Sequence, residues 1–168
     1  MISDILTPEL ESTIVNTIKS QCSRFRDAKK QEKDLYYEPY AKRRKKYELT
    51  AAVLSGFAPD RFSFSNLQVH DLKYGLNGSL YQPELITDTA IIQIYSSGAN
   101  PHKNMIVQER CRNYNGHSEN EKKFLIIKFR ADETANLKKV EVILLGETCQ
   151  LKESKTLYSP VKLMKIPA

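Results

Sequence analysis

With 168 residues, 40% hydrophobic and 27% charged, the chain can bury a core without staples and is too apolar to be disordered. Its longest apolar runs, Ala90-Ile91-Ile92 and Val142-Ile143-Leu144-Leu145, are too short for a bilayer span, and Met1-Ile2-Ser3-Asp4-Ile5 lacks the basic-then-apolar order of a signal peptide. The net charge of +6 is concentrated: residues 21–50 hold ten Lys/Arg and five Asp/Glu, leaving +1 for the other 138, a segregation that points to a polyanionic partner rather than a uniformly basic surface.

In chain order, Thr7 suits an N-cap, Pro8 the first helical position, and Glu9 and Glu11 the positive end of the helix dipole. Leu10, Ile14, Val15, Ile18, Cys22 and Phe25 then form one apolar stripe, predicting a docked helix over about 8–27. The polar stretch from Asp27 to Asp34 ends that helix and makes a connection. A second helix is predicted from near Pro39 to Gly56, with Leu49, Val53 and Leu54 on its buried face.

From Arg61 the period changes towards two. Phe62, Phe64, Leu67 and Val69 predict a strand, and Asn77-Gly78 a tight hairpin turn after it. Ile86 to Tyr95 reads as one buried strand, and Asn100-Pro101 opens a short helix over about 101–114. Lys123–Arg130 and Lys139–Leu145 are the clearest strands, joined by a longer loop. Shorter strands are expected near 148–152 and 160–166, with Pro160 and Pro167 favouring a sheet edge. The lysines that flank the two clear strands fit a sheet with one wet face and protected edges, ahead of an edge that pairs with another chain. The expected fold class is α+β: one domain, helical over about 1–56 and sheet-rich over about 61–168. Its helical N-terminal third packs on a mostly antiparallel sheet with one inserted helix.

Three cysteines, Cys22, Cys111 and Cys149, are odd in number and widely spaced, which reads as reduced thiols in a cytoplasmic protein. His70, His102 and His117 lack zinc-ligand spacing, although Cys111 and His117 lie six apart, and no glycine-rich phosphate loop is present. No metal or cofactor is indicated.

The strongest functional signal is Lys42-Arg43-Arg44-Lys45-Lys46, bracketed by Tyr36, Tyr37, Tyr40 and Tyr47. At 100° per residue these five cations cover every side of a helix, so that turn must project. Tyr40, Arg44 and Tyr47 fall at i, i+4 and i+7 on one face, joining phosphate pairing to flat stacking surfaces. The competing reading is a solvated helix end whose tyrosines pack on the core.

A second signal is Pro59-Asp60 followed by Asp71-Leu72-Lys73. It resembles the Pro-Asp…Asp-x-Lys pattern of PD-(D/E)xK nucleases, in which carboxylates hold Mg²⁺ and a lysine orients water. The resemblance implies Asp60, Asp71 and Lys73 as catalytic candidates, with Glu48 as an additional carboxylate. It covers Pro59 to Lys73 alone, so no family is assigned on it.

These features together predict a non-enzymatic regulatory or accessory protein. It would bind nucleic acid, or a nucleic-acid-processing complex, through Tyr40, Lys42, Arg43, Arg44, Lys45, Lys46 and Tyr47. The alternatives are a protein-binding module or inhibitor whose basic patch meets an acidic protein surface, and the Mg²⁺-dependent nuclease. No membrane partner is expected.

Overall fold

The structure, a computed structural model, describes residues 1–30, 38–74, 80–96, 107–109, 111–112 and 122–160, with the side chains of 38–40, 71–74 and 80–81 excepted. Among the described residues it is an α+β fold in which helices α1 (Ile2–Ile5), α2 (Pro8–Lys29) and α3 (Glu38–Ser55) pack with a six-stranded sheet. The strands are β1 (Gln68–Tyr74), β2 (Leu80–Ile86), β3 (Ala90–Ser96), β4 (Lys123–Ala131), β5 (Leu137–Leu145) and β6 (Leu151–Tyr158).

Local chemistry accounts for α2. The Thr7 hydroxyl accepts from the Leu10 amide at 3.2 Å, Pro8 occupies the first turn with Glu9 and Glu11, and Arg26 and Lys29 sit in the last. The predicted stripe is buried, joined by Gln21, which periodicity of apolar residues does not mark. Helix α1 has no sequence signal beyond Ile2 and Ile5. It is held by tertiary contacts instead: Ile2 is fully buried, and its amide donates to the Glu153 carboxylate on β6 at 3.0 Å.

The strands lie in sequence order across the sheet, and every neighbouring pair is antiparallel except β3–β4, which is parallel. The sheet is thus two three-stranded meanders joined at a parallel seam, with Ile92 opposite Leu125 and Ile94 opposite Ile127. One face, carrying Leu85, Ile92, Ile94, Leu125, Ile127, Val142 and Leu144, packs against the buried stripes of α2 and α3. The other buries Ile91, Phe124, Ile126, Ile143 and Leu145 beneath Val107 and Cys111. Burying both faces explains why β4 and β5 read as continuous apolar runs. Each fully buried Leu, Ile or Phe contributes about 1.5–3 kcal/mol of transfer free energy.

The sequence expectations for the strands need correction at four places. Phe62 and Phe64 precede β1 in a non-strand connection, where Phe62 packs on Phe57 with ring centroids 5.0 Å apart. The expected Ile86–Tyr95 strand is cut by a turn: the Thr87 hydroxyl accepts from the Thr89 amide at 3.2 Å and the Ala90 amide at 2.9 Å, turning the chain from β2 into β3. Strand β2 was hidden by Pro83, which offers no N–H. The β2–β3 ladder ends at Glu84 opposite Gln93, and just beyond it the Ile94 carbonyl accepts from the side-chain amide of buried Gln82 at 2.6 Å. Finally, a single strand, β6, begins at Leu151 where a short one near 148–152 was expected.

Other expectations fall partly outside the described residues. These are Tyr36 and Tyr37, the Asn77-Gly78 turn, Asn100-Pro101, His102, His117 and residues 161–168. Within the expected inserted helix, residues 107–109 and 111–112 are helical. Among the described residues no helix is long and apolar enough to cross a membrane.

The cysteine reading is overturned. Cys111 and Cys149, 38 residues apart, form a disulfide that ties the helical segment over the second sheet face to the turn between β5 and β6. Gln108 reinforces this link by donating to the Cys149 carbonyl at 2.9 Å. Disulfides persist mainly in oxidising compartments, so the cysteines no longer argue for a cytoplasmic location. Cys22 alone is a free thiol, buried in α2.

Candidate nucleic-acid interface

Helix α3 has two unlike halves. Leu49 and Val53 are buried against the core, whereas Lys42, Arg43, Arg44 and Lys46 are exposed and Lys45 is half-buried. A helix with cations on every side can dock only by its later turns, which is the arrangement observed.

Glu48 marks the boundary. Its carboxylate pairs with Lys29 of α2 and with Arg44 one turn back, the latter at 2.6 Å. The Lys29 hydrogen bond, then, against partial burial, the Arg44 bond, hold the Glu48 carboxyl below the usual range. Glu48 therefore belongs to an ion-pair triad that fixes α3 on α2. Arg43, Lys45 and Lys46 form no ion pair with any described residue.

Tyr47 is 70% exposed, so the core-packing alternative does not apply to it. Tyr40 keeps its i, i+4, i+7 relation to Arg44 and Tyr47 within α3, while its side chain lies outside the described residues. The assembled surface is an exposed cationic turn ending in an exposed aromatic ring.

The nuclease candidates receive less. Asp60 is exposed in the turn after α3, where the Arg61 and Phe62 amides both donate to the Ala58 carbonyl. Asp71 and Lys73 occupy alternate positions of edge strand β1, opposite Pro83 and Tyr81. Their side chains lie outside the described residues, so the pattern acquires no site geometry. Among the described residues no group of three or more His, Cys, Asp or Glu is placed to hold a metal ion.

Cys22 has no nucleophilic character. Burial, opposed by the charge of Arg26, pushes its thiol up to about 11, leaving it protonated near neutrality. Sequence reasoning also missed a polar stripe along α2, containing Asn16, Ser20, Gln21 and Arg24, because a solvated helix face carries the same period. Compared with family models, curated proteins and solved structures, the chain matches none.

Proposed function

We propose that the protein is a non-enzymatic accessory factor that binds nucleic acid through the first half of α3. The observation that carries this reading is the juxtaposition of Arg43, Lys45 and Lys46, without an ion-pair partner among the described residues, with the exposed ring of Tyr47. Guanidinium and ammonium groups pair with phosphates, and a wet tyrosine offers a face for an unstacked base. Such contacts position a nucleic acid and carry no sequence code.

The test is fluorescence anisotropy with single- and double-stranded DNA and RNA oligonucleotides across a salt series. Binding should weaken steeply with salt, and each phosphate contact removed should lower the log–log slope by about 0.7–0.9. Arg43→Ala with Lys46→Ala is the most informative pair, because neither side chain takes part in the Glu48 triad. It should reduce affinity and slope together while leaving the melting temperature unchanged. Tyr47→Ala should cost about 1–3 kcal/mol of single-strand binding and nothing in stability. Absence of salt-sensitive binding by the wild type, or full binding by the double variant, would reject the reading and favour an acidic protein surface as the partner.

A further inference from the structure

Helix α2 carries two stripes. Beside the apolar one, Asn16, Thr17, Ser20, Gln21 and Arg24 recur at steps of one, three and four residues, lining one polar flank. Facing that flank are Gly56, which follows α3, and Arg61 from the turn beyond it. Between them lies an open surface groove of about 720 Å³, along which Asn16, Ser20, Arg24 and Arg61 are exposed.

The groove is built rather than incidental. A Cβ on Gly56 would stand 2.6 Å from the Gln21 Cγ, so only glycine lets the end of α3 approach α2 this closely. Gln21, 8% exposed, has both ends of its amide engaged. Its nitrogen donates to the Ala52 carbonyl at 2.6 Å, and its oxygen accepts from Arg24 Nη1 at 3.2 Å. The buried glutamine thereby ties α3 to α2 and holds one guanidinium at the groove.

The donors around it are unspent. Arg61, Asn16 and Ser20 make no hydrogen bond or ion pair with described side chains, and none of the lining residues is a carboxylate. Two guanidinium groups without an ion-pair partner among the described residues, with an amide and a hydroxyl, line this groove, and they are the donors that a doubly charged oxyanion takes. The volume exceeds what a bare phosphate fills, leaving room for a polar organic body.

We propose that this groove binds a small phosphate monoester. Arg24 and Arg61 take the phosphate oxygens, while Asn16 and Ser20 meet hydroxyl groups on the attached sugar or polyol. The site shares no residue with the cationic turn of α3, so this inference goes beyond the nucleic-acid reading and stands apart from it.

Titration calorimetry with adenosine 5′-monophosphate, ribose 5-phosphate and adenosine tests the proposal. Both phosphates should bind saturably, and adenosine at least about tenfold more weakly, since it lacks the charge-assisted hydrogen bonds. Arg61→Ala should weaken phosphate binding by about tenfold or more without lowering thermal stability, because Arg61 supports no other described side chain. Arg24→Ala should weaken phosphate binding similarly but also lower thermal stability, because Arg24 donates to the buried Gln21 amide oxygen, and Arg43→Ala with Lys46→Ala should leave phosphate binding unchanged. That last arm separates this site from the α3 surface, since either can fail alone. Equal binding of adenosine and its monophosphate, an Arg61→Ala variant that binds as well as wild type, or no saturation by about 10 mM would overturn the proposal.

Discussion

One carboxylate oxygen organises the turn between β4 and β5. Asp132 Oδ1 accepts from the Thr134 amide at 2.9 Å, the Thr134 hydroxyl at 2.8 Å and the Asn136 amide at 2.9 Å. These bonds hold the turn in which Ala135 adopts φ 59°, a left-handed conformation that alanine otherwise avoids. The Asn136 amide most of all, then, against burial, the Thr134 groups, lower the Asp132 pKa from 3.8 to about 2. Since the folded value lies below the unfolded one, this stabilisation is complete above about pH 4 and is lost as pH falls towards about 2. Asp132→Asn, compared with wild type by urea unfolding at several pH values, should be less stable near neutrality, and the gap should close over that acid window. A gap that does not vary with pH would show that charge plays no part. Individual residues were unevenly legible in the sequence. Thr7 and Glu9 announced the start of α2 because capping is local chemistry. The Gln21–Ala52 bond and the Cys111–Cys149 pairing were not legible, because each depends on a distance that only the fold creates.

Among the elements, α2 was legible because apolar periodicity and burial coincide in it, α3 from Pro39, Gly56 and the apolar residues of its later turns, and β4 and β5 from continuous apolar runs buried on both faces. Strand β2 was not: Pro83 breaks the local rule, and the Gln82 side chain supplies the compensating hydrogen bond to β3. The helical segment around Cys111 depends on its anchor. Cys111 and Cys149 enclose 38 residues of sequence separation, a span including β4 and β5, and closing a loop of that size restricts the unfolded chain by about 3–4 kcal/mol in the chain-entropy account. Cys111→Ser should therefore lower unfolding free energy by up to that amount, and the oxidised wild type should show one free thiol under denaturing conditions. Three free thiols in protein purified under non-reducing conditions would mean the bond does not form. The basic half of α3 was legible as a projecting turn, but its attachment was not. Glu48 clamps Lys29 and Arg44, which anchors the helix while leaving Arg43 and Lys46 outward.

At the scale of the whole molecule, the change of period near Arg61 foretold helices followed by sheet, and the concentration of charge foretold the exposed cationic turn of α3. The mostly antiparallel pairing was foretold as well, whereas the single parallel pair, β3–β4, was not, since an apolar run pairs equally well in either direction. The parallel seam between β3 and β4 has a kinetic consequence. Within each meander, neighbouring strands are close in sequence and can zip together early, whereas Ile94 and Ile127 meet only after a long connection has closed. Joining the halves is therefore expected to follow the rate-limiting barrier to folding. In stopped-flow experiments on the oxidised chain, Ile94→Ala should accelerate unfolding while leaving the refolding rate nearly unchanged, and Val142→Ala, within the second meander, should slow refolding. The converse pattern would place the seam in the folding nucleus. A chain that folds in this order presents, for a short interval, two half-sheets each with an unpaired inner edge. Its greatest exposure to misassembly with a second copy then lies at β3 and β4, the two strands at the centre of the finished sheet.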